Sequence, residues 1–351
     1  MARLLIQAGA DVDAVTQDEP MPAIHMAAYS GSLEMVQLLV ENGADIRQYA
    51  PNRYRYQPVG DSTALVTATQ RDCSYYDSNL RMSVLQDEST SPAKRIYMSI
   101  LRYLVSLHND DQNHKIFQDA LVMAAHKGVT EAIDLLCAAG ARVDGPSNIG
   151  ITALEAAVSG HCLRNLAAAS LLLDLGASPN RGDRKHSALH ITAAGKESKF
   201  VQLFVDRGAD VNGDFELIMD EDAEMLGHHF TQDVDDNQAR RVIDRYNTPL
   251  RLALHRTKGE VSTFYEKTAE GAIILLQAGA ELTGGELVQA VDFDSEHLLW
   301  MILDRGVDVN EPNTIGVTAL QACLSAGNCN LARILLKVGA KLKGGEVVFG
   351  L

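Results

Sequence analysis

Aromatic residues are scarce in this chain, 5% of 351 with a single tryptophan. Its apolar core must therefore come from Leu, Ala, Val and Ile. Basic residues are outnumbered, 31 Lys and Arg against 46 Asp and Glu, for a formal charge of −15. That balance argues against nucleic acid as a partner, because phosphate neutralisation needs a clustered basic surface. No apolar run approaches the roughly 20 residues that span a bilayer, so no membrane partner is expected. There is no Gly-x-x-x-x-Gly-Lys-Ser/Thr, and no Gly-x-Gly-x-x-Gly at a strand-to-helix turn. A nucleotide cofactor has no cradle here.

The five cysteines, Cys73, Cys137, Cys162, Cys323 and Cys329, are odd in number, scattered and without Cys-x-x-Cys spacing. They suit a reducing compartment better than a disulfide framework. The first residues carry no sustained apolar stretch of signal-peptide length. Together these features lead us to expect an intracellular protein, cytoplasmic or nuclear.

What the chain does have is repetition. Pro22-Ala23-Ile24-His25-Met26 opens a short helix that Gly31 ends. A second helix follows, dense in apolar residues (Met35, Val36, Leu38, Leu39, Val40), and Gly43-Ala44-Asp45-Ile46 closes the unit. Glycine suits that exit because a left-handed residue costs a side chain roughly 1–2 kcal/mol. The exits at Gly140, Gly176 and Gly208 are 36 and 32 residues apart. Further copies start at Thr63-Ala64-Leu65, Asp119-Ala120-Leu121, Thr152-Ala153-Leu154, Ser187-Ala188-Leu189-His190, Thr248-Pro249-Leu250-Arg251, Gly285-Glu286-Leu287 and Thr318-Ala319-Leu320.

This pattern resembles the ankyrin repeat, with its period of about 33 residues, its Thr-Pro-Leu-His-like start and its Gly-Ala-Asp-Val-Asn-like exit. The resemblance implies an all-α solenoid of stacked helix-turn-helix units joined by short β-hairpin connections. Read this way, residues 1–351 form a single ankyrin-repeat domain. Its units are 1–15 (partial), 17–47, 61–108 with an insert at 71–93, 116–144, 149–180, 184–212, 246–282, 284–310, 315–343 and the opening of another at 344–351. An acidic insert at 213–243 precedes the 246–282 unit; nine Asp/Glu and no Lys or Arg fall within 214–236. Both ends stand in mid-unit, from which we expect a piece of a longer array, similar to the insert-bearing ankyrin arrays of large multidomain proteins, particularly those of filamentous fungi. In the family the start histidine bonds to neighbouring backbone, which assigns that part to His25 and His190. Val66, Val122, Glu155, Gln289 and Gln321 stand where the histidine is expected, so those units are expected to be less rigid.

By the same resemblance the function is protein binding by a non-catalytic scaffold or adaptor, through hairpin tips and the concave first-helix face. Carried over residue by residue, the helix-end positions are Tyr29 and Ser30, Gln70 and Arg71, His126 and Lys127, and His255 and Arg256. The most distinctive tip is residues 47–56, where Arg47, Tyr49, Arg53, Tyr54, Arg55 and Tyr56 interleave two residue types that dominate binding hot spots. The bland alternative for this tip is a long connector whose tyrosines pack on neighbouring hairpins. The expected partners are one or more proteins, with no small-molecule substrate.

No constellation supports catalysis, a cofactor or a metal. His228-His229 are adjacent on one insert, a poor geometry for a shared zinc ion. Asp233-Val234-Asp235-Asp236-Asn237 alternates oxygens as a calcium loop does, but has Gln238 where glycine is needed and Asp244 in place of the closing glutamate. An enzyme acting through the 214–236 insert is the rival reading from another class. A regulatory ankyrin region of a larger receptor-like or enzyme protein is the second alternative.

Overall fold

The computed structural model describes residues 1–15, 21–51, 59, 61–70, 92–108, 114–159, 164–180, 187–194, 197–213, 248–254, 269–282, 284–291, 293–313 and 316–342. The chain divides into two compact bodies, Met1–Ser178 and Pro179–Leu351. In the first body α1 (Ala2–Gln7) precedes four helix pairs. They are α2 (Ala23–Ser30) with α3 (Leu33–Glu41), α4 (Ala64–Gln70) with α5 (Pro92–Leu107), α6 (His114–His126) with α7 (Thr130–Ala138), and α8 (Ala153–Ser159) with α9 (Arg164–Asp174). The first helices α2, α4, α6 and α8 pack side by side in one layer, and α3, α5, α7 and α9 in a second.

Among the described residues the second body also has four pairs. They are α10 (Ala188–Ala194) with α11 (Ser198–Asp206), α12 (Pro249–Leu254) with α13 (Glu270–Gln277), α14 (Glu286–Val291) with α15 (Glu296–Leu303), and α16 (Ala319–Ala326) with α17 (Cys329–Lys337). Again α10, α12, α14 and α16 stand in one row and α11, α13 and α15 in another. The first helices are rich in alanine, and Ala27, Ala28, Ala124, Ala125, Ala156 and Ala157 are all buried. Small side chains let neighbouring backbones approach, while Leu39, Leu104, Leu136, Leu172, Phe204 and Leu275 fill the space between layers.

The expected exits are present. Gly43 sits at φ +88°, and Gly9, Gly140, Gly176, Gly208, Gly279, Gly306 and Gly339 are likewise left-handed. Among the described residues the hairpin connections show isolated antiparallel bridges between Ala50 and Ser62 and between Pro146 and Thr152. More of the order comes from side chains that reach the next exit. Asp13 accepts the Asp45 N–H at 3.0 Å, and Asp144 accepts that of Ser178 at 3.0 Å. In the second body Asn180 accepts from Asp210 at 2.6 Å and Asn310 from Lys341 at 2.7 Å. The same two amides donate to the carbonyls of Gly208 and Gly339. At the exit around Ala280 the guanidinium of Arg305 adds bonds to the carbonyls of Ala280 and Leu276.

Several local expectations need correction. The third repeat does not begin at Asp119: α6 starts at His114, five residues earlier, and Asp119 is an interior helical residue. The helix after the 71–93 insert starts at Pro92, a position that tolerates proline because its N–H has no partner there. On α5 Met98 is buried while Ile96 is exposed, and on α17 Leu335 is fully buried while its neighbour Leu336 is 53% exposed.

Candidate protein-interaction surface

His25 is fully buried, and its Nε2 lies 3.0 Å from the Ser62 carbonyl in the next repeat. His190 repeats the arrangement with the Gly213 carbonyl at 2.9 Å, its Nδ1 within 2.9 Å of the Ser187 hydroxyl. Burial depresses the His25 pKa, against the opposing pull of the Ser62 and Gln48 carbonyls. The ring therefore acts as a neutral strut.

Repeats without the histidine are braced in other ways. Arg251 donates from Nη2 to the Gly284 carbonyl at 2.8 Å and from Nε to Glu286 at 3.2 Å. Glu155 turns back on its own helix start: Oε2 accepts from the Thr152 N–H at 2.7 Å and the Thr152 hydroxyl at 2.9 Å. Gln321 forms a capping box with Thr318. In the Val122 repeat, Gln118 spans from the Arg142 N–H to the Gly145 carbonyl, and Asp119 accepts the Asn148 N–H. These repeats keep polar ties where the missing histidine suggested looseness.

That bracing fixes the described part of the tip. Ala50 exchanges two 2.8 Å backbone bonds with Ser62, the residue His25 holds. Just before it, Arg47 is exposed and its backbone N–H is held by Asp45 at 2.9 Å. Tyr49 is 40% exposed. Its phenol pKa is raised, first by partial burial and then by the nearby charge of Asp119.

At the far end of α2, Tyr29 is half-buried and Ser30 exposed, with the Ser30 hydroxyl donating to the Ala27 carbonyl at 3.1 Å. His126 and Lys127 are half-buried at the end of α6, where the His126 carbonyl accepts Asn165 at 3.1 Å. Arg53, Tyr54, Arg55, Tyr56, Arg71, His255 and Arg256 lie outside the described residues, as do the side chain of Gln70, the His228-His229 pair and the 214–236 insert.

The residue after the histidine position is Met26 in the first whole unit, where it is 49% exposed, but its counterparts Thr67, Met123 and Ala156 in the first body are buried. In the second body Ile191 and Leu252 are also buried, with Ala322 half-exposed. Nothing in the local sequence marks Met26 as exposed, since it stands in the apolar helix start beside His25. Trp300, within the apolar helix α15, is 41% exposed. Tryptophan is enriched at binding hot spots, but an exposed position within an apolar helix has no signal in local sequence.

Two stacked layers of short helix pairs, tied exit to exit, define a helical-repeat protein. Models of ankyrin repeats match residues 1–47 (the description reading "many copies") and 93–183 ("3 copies"). The chain is an ankyrin-repeat protein with an all-helical repeat fold. Comparison with curated proteins gives no match. Ankyrin repeats are generally protein-interaction modules, and the family is generally non-catalytic.

Proposed function

We propose that this chain is a non-catalytic scaffold or adaptor that binds a partner protein at the tip beginning with Arg47 and Tyr49, with Met26, Tyr29 and Ser30 as a second contact along α2. The observation that carries it is the held tip. Arg47 and Tyr49 are exposed while the backbone on either side is fixed by Asp45 and by the Ala50–Ser62 bridge. A side chain presented on fixed backbone loses less entropy on binding than one on a loose loop. An intracellular setting fits the scattered cysteines.

The test is affinity capture from the native cell with mass spectrometry, using the wild-type chain and a variant with Tyr49, Tyr54 and Tyr56 changed to Ala. The variant is expected to keep its helical circular dichroism and to lose partners that the wild type enriches. An identical partner set would remove the tip from the proposal. A parallel Met26→Ala and Tyr29→Ala variant reports on the α2 contact.

A further inference from the structure

Behind the same tip lies a buried carboxylate. Asp119 in α6 is fully buried. Its Oδ1 accepts the Asn148 N–H at 2.7 Å, and the Asn148 amide donates to the Asp61 carbonyl at 3.1 Å. Asp61 adjoins Ser62, which bridges to Ala50 beside Tyr49. One carboxylate therefore anchors a chain of contacts running from α6 through the 145–150 turn to the backbone of the 47–50 tip. Its other oxygen, Oδ2, is buried with no hydrogen-bond partner.

We propose that Asp119 is a proton-operated latch that holds the 145–150 turn and, through Asn148 and Asp61, the base of the 47–50 tip more firmly when it is protonated. As an anion the group carries a buried charge with one of its oxygens unserved, an expensive arrangement in a low-dielectric site. Taking up a proton on Oδ2 removes the charge. The Asn148 bond to Oδ1 is then weaker than to the anion. Opening the turn, however, hydrates the carboxylate, a gain that is large for the anion and small for the acid, so the closed turn is favoured when the proton is on. The Asn148 N–H bond, and then Lys115 one turn earlier on α6, favour the anion. Tyr49 faces Asp119 from the tip and feels its charge. Helix α4 carries no ionisable side chain, and α8 brings only Glu155, which is committed to Thr152. On α7 and α9, Glu131, Asp134 and Asp174 are exposed and Cys137 is half-buried. Burial prevails, and the Asp119 pKa stands near 6.

The latch is a property of the turn and is measured without any partner, so its failure is separate from failure of the binding proposal. The experiment is carboxyl NMR titration of the full chain, with hydrogen exchange of the Asn148 amide at pH 5 and 7.5. Asp119 is expected to titrate well above the ordinary aspartate range. The opening that exposes the Asn148 amide, corrected for intrinsic exchange, is expected to be about tenfold more frequent at pH 7.5 than at pH 5. Asp119→Asn should abolish that difference. Titration near pH 4, or equal opening at the two pH values, overturns the latch, and so does a pH dependence that survives in the folded D119N variant. The wild-type titration decides the matter alone if D119N does not fold.

Discussion

Asn212 accepts the backbone N–H of Glu281 at 2.7 Å, across 69 residues of chain. Asn180 makes the same bond to Asp210 across only 30 residues. The Asn212 amide also donates to the Gly279 carbonyl at 3.4 Å, as that of Asn180 does to Gly208. The added chain between those exits leaves the stacking register unchanged, and α10 and α11 pack directly against α12 and α13. Asn212→Ala should therefore cost about 1–2 kcal/mol, measured by urea unfolding, since it removes an acceptor and a donor at a repeat junction.

Gly31 offers a second test. It ends α2 at φ +76°, and a methyl group added there would stand 2.9 Å from the Tyr97 hydroxyl. Gly43 is also left-handed, but nothing lies within 4 Å of such a methyl. Gly43→Ala should cost roughly 1–2 kcal/mol from backbone strain alone. Gly31→Ala should cost more, because Tyr97 must also move, and equal losses in thermal or urea unfolding would show that Tyr97 yields freely.

His25 ties stability to pH with a definite sign. Its folded pKa is depressed below the unfolded value of 6.5. The contribution of the neutral ring is therefore complete above about pH 6.5 and declines as the pH falls through the lower folded value. His25→Ala should cost about 1–3 kcal/mol at pH 7.5, leaving the Ser62 carbonyl without this partner. The gap to wild type should narrow on acidification, as seen in unfolding curves between pH 7.5 and 5.

Glu197, half-buried at the start of α11, has the opposite sign. Burial raises its pKa to about 7. Its folded state holds the proton more tightly than the unfolded chain does, so stability is greatest below about pH 4.5 and is lost as the pH rises through 7. Glu197→Gln should match wild type near pH 4.5 and exceed it at pH 8, by an amount on the order of 1–2 kcal/mol once solvent screening is allowed for. Parallel curves at the two pH values would contradict the assignment.

Two adjacent leucines separate pattern from packing. Leu335→Ala should cost about 2–5 kcal/mol, as should Leu39→Ala, because both side chains are buried between layers. Leu336→Ala should change stability by no more than about 0.5 kcal/mol. Chemical unfolding of the three variants makes the comparison.

Much of the fold is decided by short-range terms, which is why it is legible in the chain. A helix exit at Gly43 or Gly279 is a local requirement on φ, and the Ala-Ala pair after His25 reports close helix packing within a few residues. The part played by His25 and His190 was accessible through family resemblance, as were Tyr29 and Ser30 at a helix end. What tertiary structure decided depends on partners distant in sequence. Arg251 substitutes for a histidine because Gly284 and Glu286 meet it, and Asp119 is a buried link because Asn148 lies over it. Met26 and Trp300 are exposed, and Met123 and Ile191 buried, through what stands beside each in space. A local apolar period has the same form in either case, so sequence alone set the repeat and its stops, while long-range packing chose which residues are left exposed.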